Sequence, residues 1–403
     1  MDNSQSTNIT ARCYLDWAAT AIPDSDDLRT FSSGSPERSK VDGIPPFGNP
    51  SSPHAEGRAA REALESARGR CARVLGVAPE KLYFTSGGTE SNALVLHSLL
   101  RRKWKGSLLY SAIEHPSVRE NCMVLERLGI PAHPIGVEKD GRVTIETFSR
   151  AIDKHPDLRF AAVMGVNNET GAIMDLKALV SLARYHQSKN GAPIHFHADL
   201  VQALGKVPID VPLWDLDSAA FSAHKLGGPR GIGLLYLKKP LEPLYTGGEQ
   251  EGSVRPGTEN TAGALAMAGI LERRANPASL EEEEKKALER FKYLIGRLKK
   301  ISRCRLIPEE RKEDDPRFSP WILQTRFIDV PGAVMVRALD DSGIAVSTGS
   351  ACSSSSAERP VLSAMGLGDS ERLEGIRISQ GWTTDMASMD ALVSGIEKVL
   401  SFL

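Results

Sequence analysis

A single lysine, Lys225, stands in the segment FSAHKLGGPRGIG, between Ser222 and His224 on one side and several glycines on the other. An amine that is buried among apolar groups, or that lies near another cation, loses proton affinity and becomes a nucleophile toward carbonyl groups. The serine and the histidine supply donors beside it, and glycines let the backbone approach a ligand because they lack a Cβ. The segment indicates a Schiff-base lysine next to a phosphate site; the alternative is an ordinary surface lysine.

A second anion site is indicated by the segment TSGGTESN, in which Gly88 and Thr89 follow a predicted strand and precede a predicted helix. Backbone N–H groups at the start of a helix, together with a hydroxyl, face an anion in such a turn. Turns of this kind also simply end strands. Together with Lys225, this one suggests a phosphorylated aldehyde cofactor.

The ring of such a cofactor, pyridoxal phosphate, needs a carboxylate at its nitrogen, because a protonated ring takes up the electrons of a carbanion. Asp199 ends the predicted strand IHFHAD, and Gln202 follows three residues later, where a helical turn directs it to the same ligand. His115 lies at another strand end, where its ring can stack on a flat cofactor, and Asn168 offers a neutral donor. The alternatives are a helix cap, a core histidine and a turn-forming asparagine.

The elements that must position these residues alternate between helical segments and short apolar strands from about residue 51 to residue 248. This alternation is typical of a largely parallel α/β sheet that is covered by helices. Polar residues gather just beyond five of the strand ends, and ligands of open α/β sheets bind outside the carboxyl ends of the strands. The sequence therefore predicts that the candidate residues share one crevice.

Composition excludes several classes of protein. The 403 residues include 50 basic and 51 acidic ones, so the chain lacks the broad positive field that binding to nucleic acid or to an anionic membrane requires. No apolar run approaches the roughly 20 residues that cross a bilayer, and the start MDNSQSTNIT has no signal-peptide core. We expect a cytoplasmic protein with one large and one smaller domain.

The five cysteines are sparse and include no close pair, so they predict neither a disulfide framework nor a metal site. Cys352 differs from the others because it lies in STGSACSSSSAE, a run of small polar residues that is typical of an exposed loop.

Ten segments, in order along nearly the whole chain, resemble the NifS/IscS-type cysteine desulfurases. They are YLDWAAT, GNPSSPHAEGRAA, TSGGTESN, EHPSV, VNNETGAI, HADLVQALGK, SAHKLGGPRGIG, GGEQEGSVRPGTEN, STGSACSSS and IRISQGWTT. The resemblance implies a transferase of the class V aminotransferase-like, fold-type-I pyridoxal-phosphate enzymes. It implies a large domain, residues 28–281, with a mainly parallel seven-stranded sheet flanked by helices, and a smaller α+β domain from residues 1–27 and 282–403 that carries the catalytic-cysteine loop.

The same resemblance implies how the cofactor is held. Lys225 would bind it as a Schiff base, Asp199 would pair with the ring nitrogen, Gln202 would bond the ring hydroxyl, and His115 would stack on the ring. Asn168 would offer a further contact to cofactor or substrate. The groups around the phosphate would be Gly88, Thr89, Ser222, His224 and, reaching across from the other subunit of an obligate homodimer, Thr258.

For the substrate, L-cysteine, the resemblance implies that Asn49, Asn168 and Arg377 hold the carboxylate, Arg377 by a bidentate fork. Lys225 and His115 would move protons while the substrate becomes L-alanine. Cys352 would accept the sulfur as a persulfide, because sulfur that leaves cysteine needs an acceptor thiolate, and would pass it to a protein such as an iron–sulfur scaffold.

Three departures from the family pattern stand out. Gly88 replaces an expected alanine, Pro256 replaces an expected serine, and only 51 residues follow Cys352, so the tail that helps dock a scaffold in bacterial housekeeping members is shorter here. One alternative function is a selenocysteine lyase or another class V enzyme that acts on a related amino acid. Another is a silent protein that the cofactor merely stabilises, although intact Lys225, Asp199 and Cys352 argue against it.

Overall fold

A seven-stranded sheet forms the centre of the computed structural model, which describes residues 12–24, 46–101, 105–349 and 359–402. Its strands, in spatial order, are Leu82–Thr85 (β2), Gly233–Leu237 (β8), Ser218–Ser222 (β7), His195–Asp199 (β6), Leu158–Ala162 (β5), Ser107–Ser111 (β3) and Ala132–Ile135 (β4). The strands from β7 to β4 are parallel, and only β8 runs against its neighbours. The predicted seven-stranded, mainly parallel sheet is therefore confirmed.

Helices enclose this sheet, and almost every residue of its strands is buried because both faces are covered. Their bounds are Ala55–Leu75 (α1), Gly88–Ser98 (α2), Pro116–Arg127 (α3), Ile145–Lys154 (α4), Leu176–Asn190 (α5) and Thr261–Arg274 (α6). The alanine-rich face of α1 packs along α6, since small side chains let two helices approach closely. Gly76 ends α1 with a φ of 67°, a left-handed conformation that glycine adopts without steric cost.

A second sheet is antiparallel and contains Cys304–Ile307 (β9), Ile322–Phe327 (β10) and Gly375–Ser379 (β12) in the order β12-β10-β9. Cys13–Tyr14 (β1) pairs in parallel with Ile344–Ala345 (β11), so a segment from the first part of the chain joins one from its last third. The helices here are Pro277–Leu298 (α7), Gly332–Asp341 (α8), Pro360–Ala364 (α9), Asp369–Glu374 (α10) and Met386–Phe402 (α11).

Three hydrophobic cores follow from this arrangement, one of them between helices α2 and α3 and the seven-stranded sheet. The largest core lies around the seven-stranded sheet, and a second contains Leu15 from the start of the chain together with Phe291, Leu323 and Ile396 from its last third. The exact division into residues 28–281 and the two flanking segments stays a prediction. Across the described ranges no helix has the length and apolarity to cross a membrane, and no three or more His, Cys, Asp or Glu side chains gather as metal ligands.

Candidate active site

A cavity of about 610 Å³ opens at the carboxyl ends of β2, β3, β5, β6 and β7. In this sheet topology the strand ends meet at one edge, as the sequence predicts. The predicted site residues that line the cavity are Gly88, Thr89, His115, Asn168, Asp199, Gln202, Ser222, His224, Lys225 and Arg377.

Lys225 lies on a single 3₁₀ turn, Ala223–Lys225, that directly follows β7. Its Nζ donates to the carbonyl oxygens of Ala18 and Ala19 at 2.6 and 2.7 Å. These carbonyls belong to the segment that follows β1, more than 200 residues earlier in the sequence. The amine is therefore held at the cavity wall by a segment that is distant in sequence. No local sequence pattern predicts this contact.

The ring-binding side of the cavity contains two acids of different character. Asp199 is 5% exposed, and its carboxylate accepts hydrogen bonds from Asn92 Nδ2 at 2.8 Å and from the backbone N–H of Val201 at 3.0 Å. Glu114, which the sequence analysis missed, is fully buried and accepts only the backbone N–H of Met164. Burial, together with the nearby charge of Asp199, raises the pKa of Glu114 well above its usual range.

The phosphate side of the cavity is formed by the start of α2 and the end of β7. Thr89 lies in the first turn of α2, where unpaired N–H groups attract anions, and Ser222 is buried beside it. Burial and the neighbouring Lys225 lower the pKa of His224 to about 3, so its ring is neutral. These groups fit a phosphate, and with Asp199 and Lys225 in the same cavity the donor set fits pyridoxal phosphate.

The glycine at position 88 now has a physical reason. A Cβ on Gly88 would lie 2.5 Å from Cγ2 of Val201, closer than carbon atoms can approach. Since Val201 also lines the cavity, its branched side chain occupies the space that an alanine at position 88 would need. The departure from the family pattern is thus matched by a neighbour in the structure.

Arg377, on β12, is 2% exposed and already has several partners. Its Nη1 donates to the carbonyl oxygens of Asn168 at 2.9 Å and Gly349 at 3.3 Å, and its Nη2 pairs with Asp16 at 2.7 Å. The guanidinium is therefore held in a fixed position in the cavity wall, and Asp16 already occupies its Nη2. The binding of a substrate carboxylate by Arg377 and Asn168 stays a prediction.

Two predicted residues lie away from the cavity of their own chain. Asn49 is exposed, and its side-chain oxygen accepts the N–H of Ser51 in a local turn. Thr258 is also exposed, in a segment that begins at Glu251, whose carboxylate is buried against Arg68 at 2.7 Å. Their assigned roles stay predictions.

Cys352 lies outside the described residues, so its role also stays a prediction. The other four cysteines are described, and each has a raised thiol pKa because burial disfavours the thiolate. For Cys71 and Cys304 the pKa rises to about 12. Since the thiolate is the nucleophile, these four are poorly suited to accept sulfur.

Lys206 is a further residue that the sequence analysis missed. It is 1% exposed, and its Nζ donates to Oε1 of Gln202 at 3.0 Å. This contact turns the other end of the amide, Nε2, toward the carbonyl oxygen of Ala18, which it meets at 2.8 Å. The spacing of four residues from Gln202, on one turn, was the available signal.

Replacing Lys206 by methionine is expected to stabilise the fold at neutral and lower pH. Burial, with smaller effects from Lys225 and Arg377, lowers the pKa of Lys206 from 10.5 to about 7. Between pH 7 and 10.5 the unfolded chain binds more protons than the folded one, so the natural protein gains stability as the pH rises through that window. Thermal unfolding at equal cofactor loading should show a higher midpoint for Lys206→Met near pH 6 and a shrinking difference toward pH 10. A constant difference across that range would contradict the assignment.

Comparison with known proteins places this geometry in context. Residues 40–392 match the family described as Aminotransferase class-V. A NifS/IcsS protein homolog of Lactobacillus delbrueckii subsp. bulgaricus is 36% identical over 371 residues, which cover 88% of this chain and 90% of that protein. A cysteine desulfurase IscS of Dictyoglomus turgidum is 34% identical over 399 residues, covering 97% and 95%. The solved structure of a NifS-like protein is similar with a TM-score of 0.85 at 31% identity, covering 97% of this chain and all of that one.

Proposed function

This chain belongs to the aminotransferase class-V family, and on that premise we propose that it is a pyridoxal-phosphate-dependent cysteine desulfurase, which converts L-cysteine to L-alanine and passes the sulfur on as a persulfide. The observation that carries this proposal is the single cavity that gathers an amine, a buried carboxylate, a histidine ring and a helix N-terminus. When bound there, the cofactor supplies an electron sink for the carbanion at the α-carbon of the substrate.

The residues of the cavity are assigned to cofactor binding and to proton transfer. Lys225 would hold the cofactor through its Nζ, and the same amine would take and return the α-proton of the substrate. Asp199 would stabilise positive charge at the ring nitrogen, and His115 would cover the ring. Gln202, whose amide is oriented by Lys206, would bind the ring oxygen.

The phosphate and the substrate carboxylate are bound at separate places. Gly88, Thr89, Ser222 and His224 hold the phosphate, while Arg377 with Asn168 and Asn49 holds the carboxylate.

Sulfur transfer requires a thiolate, and Cys352 is the proposed acceptor. The four other cysteines support this proposal by elimination, because burial raises their thiol pKa and so disfavours the thiolate that accepts sulfur. The persulfide then passes to an acceptor protein, for which an iron–sulfur scaffold is the proposed class because relatives carry the name IscS.

We further propose a homodimer in which Thr258 of each chain completes the phosphate site of the other. The exposure of Thr258 supports this proposal, as does the firm attachment of its segment: Glu251 accepts both Nη groups of Arg68 at 2.7 Å and the N–H of Phe84 at 2.6 Å. A cytoplasmic location stays a prediction.

The test of the proposed function is a comparison of two substrates. Purified, cofactor-loaded protein is expected to release alanine from L-cysteine, with one equivalent of sulfide per alanine when a thiol reductant is present. L-Selenocysteine serves as the second substrate under the same conditions. Alanine from selenocysteine but negligible alanine from cysteine would replace the desulfurase by a selenocysteine lyase. An unchanged cofactor absorbance on addition of either amino acid would support a silent protein.

A further inference from the structure

Asn92 lies on α2, beneath the cavity, and is fully buried. Its Nδ2 donates both to Asp199 Oδ2 and to Ser117 Oγ at 2.8 Å, and its Oδ1 lies 2.8 Å from Nε2 of His197. The amide of Asn92 thus links Asp199, the carboxylate proposed to bind the ring nitrogen, to Ser117 on α3 and to His197 on β6.

The direction of each hydrogen bond in this cluster follows from the partners. The Asp199 carboxylate only accepts, so the atom of Asn92 that faces it is the NH₂ group, and the amide oxygen must face His197. Nε2 of His197 therefore carries a proton. Burial lowers the pKa of His197 to about 3, so the ring is neutral and its Nδ1 accepts the hydroxyl hydrogen of Ser218 at 2.8 Å. Ser218 Oγ in turn accepts from Nε2 of His195 at 2.7 Å.

The same reasoning fixes the proton of His115. Its Nδ1 accepts the backbone N–H of Ser117 at 3.1 Å, because a backbone N–H can only donate. Ser117 Oγ accepts from Asn92, which leaves its own hydrogen for Nδ1 of His115, 2.8 Å away. Two donors directed at one nitrogen exclude a proton there. Among the described contacts, every hydrogen bond of this ring involves Nδ1, so the proton of the neutral ring belongs on Nε2.

We propose that Asn92 is a positioning residue of the active site: its one amide holds the carboxylate of Asp199 and, through Ser117, the ring of His115, so that neutral His115 carries its proton on Nε2. In this state the Nε2–H of His115 donates a hydrogen bond, and neither ring nitrogen is free to act as a base. Burial lowers the pKa of this ring, the neighbouring Lys225 and Arg119 act in the same direction, and Asp199 acts in the opposite direction without reversing the shift. The catalytic meaning rests on the proposed function and leaves Lys225 as the base.

The position of the proton can be measured directly in the natural, cofactor-loaded protein. With ¹⁵N-labelled histidine, the signal of His115 is identified by its absence in the His115→Gln variant. At pH 7.5 (about one unit above the ordinary histidine pKa) we expect the shift of an unprotonated nitrogen at Nδ1 and of a protonated nitrogen at Nε2. A proton on Nδ1, or a doubly protonated ring, would overturn the inference. This readout does not depend on turnover, so it is separate from a failure of the proposed function.

The part of Asn92 is tested by Asn92→Leu, which keeps the side-chain size and removes the amide. Because Asp199 loses a hydrogen bond to a charged group, the dissociation constant of pyridoxal phosphate should rise about tenfold or more, and both tautomers of His115 should appear. Ser218→Ala is the matched control: it cuts the cluster beyond His197, and its dissociation constant should change by less than about threefold. Equal effects of the two variants would contradict a special role of Asn92.

A second variant keeps the inference testable if Asn92→Leu does not fold. Ser117→Ala removes the hydroxyl between the amide and the ring but leaves the backbone N–H and the Asn92–Asp199 bond. We expect a severalfold lower kcat for L-cysteine with an unchanged KM and an unchanged affinity for the cofactor. An unchanged kcat would show that Asn92 and His115 are not coupled through Ser117.

Discussion

Replacing Lys225 by alanine is expected to abolish the turnover of L-cysteine, with a loss of at least about 10⁴-fold. The variant lacks both the amine that binds the cofactor and the group that moves the α-proton, and proton transfer alone accounts for 10²–10⁴-fold in enzymes of this kind. The measurement is alanine release under saturating cofactor, together with the absorbance of the dialysed protein, which should lose its cofactor band.

Lys239→Ala is the matched control for this experiment, since Lys239 is an exposed lysine that follows β8 and lies outside the cavity. It should retain full activity and its cofactor. We expect the fold to tolerate Lys225→Ala, because the hydrogen bonds of the amine to Ala18 and Ala19 go to backbone carbonyls. Turnover by Lys225→Ala at the rate of the control would refute the assigned role.

The second large effect is expected for Cys352→Ser. This variant should bind the cofactor and should change its absorbance when L-cysteine is added, because the residues of the cavity are intact. It should form no persulfide and release less than about a hundredth of the alanine, since a hydroxyl is a far weaker nucleophile toward sulfur than a thiolate. Persulfide is followed by the mass of the intact protein, and alanine by its direct quantification.

Cys13→Ser is the control for the loss of a thiol. Cys13 is half-buried and donates to the carbonyl oxygen of Ser388, and burial raises its pKa, so its removal should leave persulfide formation unchanged. If the persulfide is found on Cys13 or on another of the four described cysteines, the assignment to Cys352 is wrong, although the proposed reaction could still hold.

The candidate site could be predicted to different extents for different residues. Lys225, Asp199 and Thr89 each lie at a strand end, and strand ends are visible in sequence because apolar runs stop at polar turn residues. In a parallel sheet such ends must meet, so the crevice followed from local patterns alone. Asn49 and Thr258 show the limit of such prediction. A motif indicates that a residue is functional, but it does not indicate which cavity the residue lines.

Asn92 and Glu114 were missed for one common reason. Their importance depends on burial and on partners that are distant in sequence: Asn92 meets Asp199 across 107 residues, and Glu114 meets Met164 across 50. A sequence shows that these side chains are polar but not that water is excluded from them. Burial is what raises the pKa of Glu114, and the carboxylate of Asp199, which can only accept, is what sets the direction of the hydrogen bonds around Asn92.

The sequence by itself determined the class of sheet, the family and the identity of the groups that can carry the chemistry, because these depend on local periodicity and on ordered motifs. Only the tertiary structure decided how those groups are oriented: that the segment after β1 holds the Lys225 amine, that Val201 requires glycine at position 88, and that Asn92 faces Asp199. The physical reason is that orientation and protonation are set by contacts between distant parts of the chain in a dry interior.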